Sequence, residues 1–356
     1  MHINKIKIQP SWIFLDEQGN TLPATLFDLL SQIKHNSKLT KAAENVGMSY
    51  RGAWNLINKS TEIFGLPLVE LHRGRGAKLT PLGEKLLWSK HRVAARLGPQ
   101  LDNLTSELNI EVQQILADVT PSVRIHASHG YAVALLPDAA KEFQLDLQYK
   151  SIEESLAALQ RGDCELAGFD VPIQYVSTNM VSIFRRYLDP VEHVIISFVL
   201  RQQGLMVQQA NPKNIQQVTD LIRSDVKFIN RQKDSGTRAL LDELLTADKI
   251  DPNQIKGFAD EEYTHSAVAA FIAAGMADVG LGIEAAASHF GLHFIPVATE
   301  QYLFVCKKQS LNLKAVAQLL QLIKSPAFIQ DISALSGYTP ESSGQIKQLS
   351  EVFSWF

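Results

Sequence analysis

The periodicity of apolar residues changes near residue 120, and no single architecture accommodates both patterns. Up to that point apolar residues recur at helical spacing, whereas from Val123 onward short apolar runs of strand length alternate with helical segments. The first pattern builds a small helical module; the second builds an α/β architecture with largely parallel sheets. With 356 residues, 46% of them hydrophobic and 20% charged, the chain has core material for two or three domains, which excludes disorder over most of its length. The longest apolar run, Val191–Leu200, contains Glu192 and His193 and falls short of the roughly 20 residues that cross a bilayer. No membrane partner is expected.

Charge divides at a similar place. Residues 1–100 hold 14 Lys and Arg against 7 Asp and Glu, a balance of +7, while the remaining 256 residues hold 20 against 30, a balance of −10. A basic front on an acidic body suits a chain of which one end alone meets a polyanion, because phosphate contact is electrostatic. The N-terminus alternates apolar and polar residues and lacks the continuous apolar stretch and cleavage site of a secretory signal, so a cytoplasmic location is expected. Cys164 and Cys306 are too few for a disulfide framework or a four-ligand zinc site and read as buried free thiols.

Within the basic front, Leu22, Leu26, Leu29, Leu30 and Ile33 mark an amphipathic helix, and Lys38–Asn45 a second, short one that stops at Gly47. Ser49 is a good N-cap for a third helix reaching about Phe64. A short helix, a glycine turn and a helix that begins with polar residues make a helix-turn-helix. Leu68–Leu79 then reads as strand, Gly-Arg-Gly tip, strand, which is a wing. Ser49, Tyr50, Arg51 and Asn55 occupy the recognition helix, with Arg51 and Asn55 carrying the groups that read guanine and adenine edges; Arg73, Arg75 and Lys78 are placed for phosphate contact. Trp54 is expected in core or backbone packing rather than against a base. Thr80-Pro81 opens a long helix on which Leu97, Leu101, Leu104, Leu108, Val112 and Ile115 form a seam suited to homodimerisation, with Gly98-Pro99 marking a kink or a fresh start.

The run Leu39-Thr-Lys-Ala-Ala-Glu-Asn-Val-Gly-Met-Ser-Tyr-Arg-Gly-Ala-Trp54, followed by Pro67-Leu-Val-Glu70 and Leu79-Thr-Pro-Leu-Gly83, resembles the winged-helix domain of molybdate-responsive ModE-type regulators and their LysR-type relatives. That resemblance covers about residues 5–115 and implies double-stranded DNA as a partner.

In the acidic remainder three junctions are rich in glycine and hydroxyl side chains: Ser128-His129-Gly130, Asp234-Ser235-Gly236-Thr237-Arg238 and Thr264-His265-Ser266. Each is expected to lead from a strand into a helix, and such junctions aim donors at the ligand crevice of an open α/β sheet. Ser235, Thr237 and Arg238 supply two hydroxyls and a guanidinium for an oxyanion. The glutamates Glu261, Glu262 and Glu284 lie beside the same crevice, either facing a donor on the ligand or paired with Arg231 or Arg238. The runs Arg201–Leu205, Asn230–Arg238, Glu261–Ala269 and Ala277–Glu284 resemble the periplasmic-binding-protein-like domain found fused to ModE-type winged helices and, elsewhere, to molybdopterin-biosynthesis proteins. The resemblance departs at Ala167-Gly168-Phe169-Asp170, where relatives tend to carry Ala-Gly-x-His-Leu.

The expected fold is therefore α/β overall: a winged helix-turn-helix over residues 1–80, a linker or dimerisation helix over 81–120, and a two-lobed, type II periplasmic-binding-protein-like sensing domain over 121–346. Its lobes are placed at about 122–195 with 300–345, and at 200–295. The resemblance implies a one-component transcription regulator whose effector is molybdate, tungstate or a molybdenum-cofactor-related species, with Ser128, His129, Ser235, Gly236, Thr237, Arg238, Thr264, His265 and Glu284 as ligand contacts. An enzyme or binding protein of molybdenum-cofactor metabolism is the alternative. Enzyme chemistry is not expected, since the histidines are scattered and no Cys-x-x-Cys, Gly-x-Ser-x-Gly or Walker spacing occurs.

Overall fold

The computed structural model describes residues 6–9, 13–15, 17–72, 76–115 and 120–356. Two compact units are present: residues 9–95, and residues 96–356 joined by the N-terminal segment up to Ile8. The fold is α/β, with an N-terminal winged helix-turn-helix and a two-lobed periplasmic-binding-protein-like domain.

In the smaller unit a short pair of strands, β1 (Phe14–Leu15) and β2 (Thr21–Leu22), precedes α1 (Ala24–Asn36), α2 (Leu39–Asn45) and α3 (Tyr50–Phe64). Gly47 ends the α2 turn at φ +68°, a conformation that favours glycine, and Ser49 Oγ accepts from the Gly52 amide as the N-cap of α3. The inner faces of the three helices bury Leu26, Leu29, Leu30, Ile33, Ala42, Ala43, Ala53 and Ile57 against one another. The hairpin β3 (Val69–His72) and β4 (Gly76–Leu79) forms the wing, and residues 73–75, including the expected phosphate contacts Arg73 and Arg75, lie outside the described residues. Thr80 Oγ1 donates to the Pro67 carbonyl and accepts from the Gly83 amide, locking the wing to the helix that follows. Gly83 is required there, because a Cβ would stand 2.2 Å from the Leu68 carbonyl oxygen.

That helix, α4 (Pro81–Ile115), runs 35 residues and carries Pro99 within it, so the Gly98-Pro99 pair neither starts nor ends it. In the larger unit β5 (Ser122–Ala127), α5 (Leu136–Ala139), β6 (Gln144–Tyr149), α6 (Ile152–Arg161), β7 (Leu166–Pro172) and α7 (Thr178–Tyr187) build the first lobe. A 15-residue strand, β8 (His193–Val207), crosses to the second lobe of β9 (Phe228–Arg231), α8 (Gly236–Ala247), β10 (Glu261–Glu262), α9 (His265–Ala273), β11 (Val279–Ile283) and α10 (Glu284–His289). The equally long β12 (His293–Lys307) returns. The C-terminal part adds α11 (Lys314–Lys324), α12 (Pro326–Ser333), β13 (Tyr338–Thr339), β14 (Ile346–Lys347) and α13 (Leu349–Val352).

One sheet runs through both lobes in the order β10-β9-β11-β8-β12-β7-β5-β6, with β13 and β14 also paired to β8. Pairing is parallel inside each lobe and antiparallel wherever β8 or β12 takes part, so the expected largely parallel sheet is a mixed one. The reason is the pair of crossing strands: a chain that leaves a lobe on one long strand and returns on its neighbour must run the two in opposite directions. Leu349 and Phe353 pack into the first-lobe core with Phe169 and Phe184, which extends that lobe past its expected limit at about 345. Ser128-His129-Gly130 also differs from expectation. It leads into a turn and a short 3-10 segment, Val133–Leu135, before α5, rather than directly into an α-helix.

Candidate functional site in the interlobe cleft

The site lies where β8 and β12 pass between the lobes. Arg201 and Glu300 are register partners on these strands, and the Arg201 side chain is only 1% exposed. Its Nε donates to Glu300 Oε2 at 2.8 Å, and its Nη2 lies 3.0 Å from Asp170 Oδ2. Burial alone would lower the guanidinium pKa, but Asp170 and Glu300 reverse this and hold it well above its ordinary value. Asp170 is the residue at which the family pattern departs, and its other oxygen accepts from Ser128 Oγ at 2.7 Å. Gln203 Nε2 donates to Glu300 Oε2 at 3.0 Å and to Thr237 Oγ1 at 2.9 Å, tying the second lobe to the crossing strands. Gly236 stands against Asp170, for a Cβ there would lie 2.6 Å from Oδ2. Across the cleft the hydroxyls of Tyr131 and Ser266 are 2.7 Å apart.

Arg231, at the end of β9, has a different environment. Its Nε donates to Gln232 Oε1 and its Nη2 to the Tyr263 carbonyl, both neutral acceptors, and among the described residues it forms no ion pair. Its side chain is buried, Nη1 has no hydrogen-bond partner, and burial pushes its pKa down to about 10. Arg201 Nη1 and His265 Nδ1 are likewise buried without a partner. Three buried nitrogen atoms thus lack a hydrogen-bond partner, and one belongs to a guanidinium with no carboxylate in ion-pair contact, although Asp170, Glu300 and Asp234 act on it from farther off. Gln203 Oε1 and Glu300 Oε1 are likewise buried without a partner, so the cleft holds unmet acceptors as well as unmet donors.

The two histidines remain neutral. Burial lowers the His129 pKa to about 4, with Arg231 and Arg201 adding to the effect, and the same causes hold His265 well below its ordinary value. Between pH 6.5 and 4 the unfolded chain binds a proton at His129 that the folded chain does not, so stability falls as pH is lowered through this window. From pH 7 to pH 5 a loss of about 2 kcal/mol is expected from His129 alone. Urea unfolding at the two values checks this, and His129→Gln should shrink the difference; an equal pH response in that variant would refute the assignment.

The residues expected from sequence divide. Ser128, His129, Gly236, Thr237 and His265 converge on the cleft through the contacts above. Ser235 and Thr264 adjoin it but act on their own helices: Ser235 Oγ donates to the Gln232 carbonyl and accepts from the Arg238 amide, and Thr264 Oγ1 accepts from the Ala267 amide. Arg238 is turned away from the cleft. It pairs with Asp242 at 3.1 Å and Glu261 at 3.2 Å and lies 4.3 Å over the Phe258 ring, so the glutamate is matched to an arginine and not to a ligand. Glu284 packs over Gly337, apart from the others. Asp170, Gln203 and Glu300 are not among the residues expected from sequence, whereas Arg201 and Arg231, with Arg238, are the cations that the sequence offers a small anion. The available signal for Gln203 was three consecutive polar residues, Arg201-Gln202-Gln203, in an otherwise apolar strand.

In the winged helix Ser49, Tyr50, Arg51, Asn55 and Lys78 are all exposed. Trp54 is exposed as well, at 45%, beside Tyr50 at 53%. Core packing fails for it because Ala53 and Ile57 already form the buried stripe of α3 and residue 54 falls on the outer face; the expected alternative of backbone packing is compatible with that exposure.

Residues 133–324 match the family described as the PBP superfamily domain. An uncharacterised protein of Bacillus subtilis (strain 168), YvgK, is 34% identical over 240 residues, which is 66% of this chain and 77% of that protein. The molybdenum-pterin-binding protein MopB of Rhodobacter capsulatus is 28% identical over 134 residues, 36% of this chain and 49% of MopB. Among solved structures, a hydrogen-peroxide-bound variant of OxyR from Corynebacterium glutamicum superimposes with a TM-score of 0.45 at 13% identity, covering 87% of this chain and 94% of that one. Full-length BenM gives 0.42 at 17% identity over 89% and 98%. With the family match spanning more than half of its length, and the two lobes and their cleft in place, this chain belongs to the PBP superfamily domain family.

Proposed function

We propose that this protein is a one-component, ligand-sensing transcription regulator. Its interlobe cleft binds a small oxyanion, and its winged helix binds double-stranded DNA. The observation that carries the ligand reading is Arg231, a buried guanidinium hydrogen-bonded only to neutral acceptors, with Nη1 unpartnered and Arg201 and His265 near enough to interact with it electrostatically. A buried cation with no counter-ion in contact is costly, and an oxyanion offers both the charge and the acceptors. Molybdate, tungstate or a molybdenum-cofactor-related species is the proposed effector, and the likeness to MopB supports molybdenum chemistry over other oxyanions. Thermal-shift measurements with molybdate, tungstate and phosphate test this, since a ligand that binds only the folded state raises its stability.

The DNA reading rests on the exposed polar face of α3 and on Lys78 in the wing. In mobility-shift titrations against the protein's own promoter region, Arg51→Ala should relax preference at one base position by about 1–3 kcal/mol. Lys78→Ala should weaken all sequences together and lower the salt slope by about 1. Equal binding by both variants and the wild type would remove the assigned docking face. We assign homodimerisation to the outer face of α4, where Leu104 is 52% and Leu108 36% exposed. Light scattering of Leu104→Glu checks it: an unchanged mass would place the dimer contact elsewhere. A cytoplasmic location is the setting in which such a regulator works, and no described helix is long and apolar enough to cross a membrane.

A further inference from the structure

The C-terminal part of α4 does more than continue the chain. β6 is the outermost strand of the first lobe, and its free edge is covered by this helix. Asn103 Oδ1 accepts from the Tyr149 amide at 2.7 Å while its Nδ2 donates to the Tyr149 carbonyl at 3.2 Å. One turn further on, Ser106 Oγ accepts from the Leu147 amide at 3.0 Å and donates to Asp146 Oδ1 at 2.7 Å. Three residues of helix rise about 4.5 Å and two residues of strand about 6.7 Å, a mismatch small enough for side chains to bridge. The helix therefore replaces a neighbouring strand, and this attachment is stiff.

Seven residues earlier on the same helix, the Arg96 guanidinium lies 4.6 Å from the centre of the Tyr263 ring, in the second lobe. Two turns of helix thus reach from one lobe to the other. Both landing points adjoin the cleft. Tyr149 has its ring 4.8 Å from His129. Tyr263 accepts the Arg231 Nη2 hydrogen bond on its carbonyl and immediately precedes Thr264 and His265. The attachments differ in stiffness: several hydrogen bonds to backbone and side chain on the first lobe, and a single cation–ring contact to a half-exposed tyrosine on the second. Any rotation of the second lobe about β8 and β12 is then taken up at Arg96.

We infer that α4 is a strap laid across both lobes, anchored at Asn103 and Ser106, which registers occupancy of the cleft through the contact of Arg96 with Tyr263. This rests on the reading of the cleft as an anion site, and it names the point at which that site acts on the helix leading to the winged domain. Since binding couplings are reciprocal, the contact also biases how readily the cleft accepts an anion.

Hydrogen–deuterium exchange on the full-length protein, with and without sodium molybdate, sodium tungstate or sodium phosphate, tests the inference. An anion that stabilises the wild type should change exchange in the cleft segments 228–240 and 261–268 and also in α4 over residues 94–104. Arg96→Ala should keep the cleft change and lose the α4 change, with a difference of about two- to fivefold, the size expected of a partly exposed cation–ring contact. Tyr263→Leu should behave in the same way, whereas Arg96→Lys and Tyr263→Phe, which keep the cation and the ring, should behave as wild type. A cleft change with no α4 response in the wild type, or an α4 response that survives Arg96→Ala, overturns the strap while leaving the anion site standing. If none of the three anions stabilises the wild type, the reading of the cleft fails and the strap fails with it.

Discussion

Arg231→Met is expected to weaken oxyanion binding about 30-fold or more and, in the same protein without ligand, to raise the melting temperature. The two effects share one cause. The guanidinium is held out of water with neutral acceptors on two nitrogens and nothing on the third, so it destabilises the empty protein and attracts an anion for the same reason. Methionine fills similar volume without a charge, leaving the Tyr263 carbonyl short of one donor as the opposing cost. Thermal unfolding of both proteins, with and without molybdate or tungstate, gives both quantities. A variant that is less stable when empty and still binds would show that Arg231 is structural.

The equivalent change at Arg201 should have the opposite sign. Arg201→Met leaves Asp170 and Glu300 buried together without their cation, and a loss of about 3–5 kcal/mol of stability is expected, as is usual when one partner of a buried ion pair is removed. Glu300→Gln in the Arg201→Met background should recover part of it, since burial already pushes the Glu300 carboxyl toward its neutral form. If both results are obtained, the two arginines divide the work: Arg201 holds the crossing strands together, and Arg231 serves the proposed anion. Urea unfolding measures the loss. Similar responses of the two single variants would erase the distinction.

The winged helix was legible because its signals are local. The Ser49 cap, the Gly47 break, the Thr80-Pro81 start and the spacing of Leu26, Leu29, Leu30 and Ile33 each operate within a few residues and appear in the structure where the sequence put them, whereas Leu22, read as part of the same helix, lies in β2 ahead of it. For Trp54 only the core alternative fails, because an aromatic side chain suggests burial while its helical position puts it outside. The cleft was harder to read. Its neighbourhood was visible in the hydroxyl-rich junctions, but most of those hydroxyls cap helices or bond locally, which is the ordinary use of such residues at those positions. The charged centre depends on partners far apart in sequence: Arg201 meets Glu300 across 99 residues, and Asp170 comes from a third strand. No spacing rule reports such a meeting. The parallel expectation for the sheet failed likewise, since the length of β8 is hidden by the polar residues at its middle, where Arg201 and Gln203 are buried against Glu300 of β12.

The hydrogen bonds from Asn103 and Ser106 to the rim of the first lobe bear on how such a protein could have been put together. A receptor severed at residue 120 would leave the Leu147 and Tyr149 amides without acceptors, and bare strand borders invite fibrillar or swapped association. The two-lobed domain is therefore no detachable cartridge, because the cover of its strand edge is a piece of α4. Genetic shuffling that gave it a new output module would have to cut upstream of Arg96, in the stretch that follows the last winged-helix core residue, Leu87. Tether and receptor would travel as one heritable block, with only the reading head exchanged.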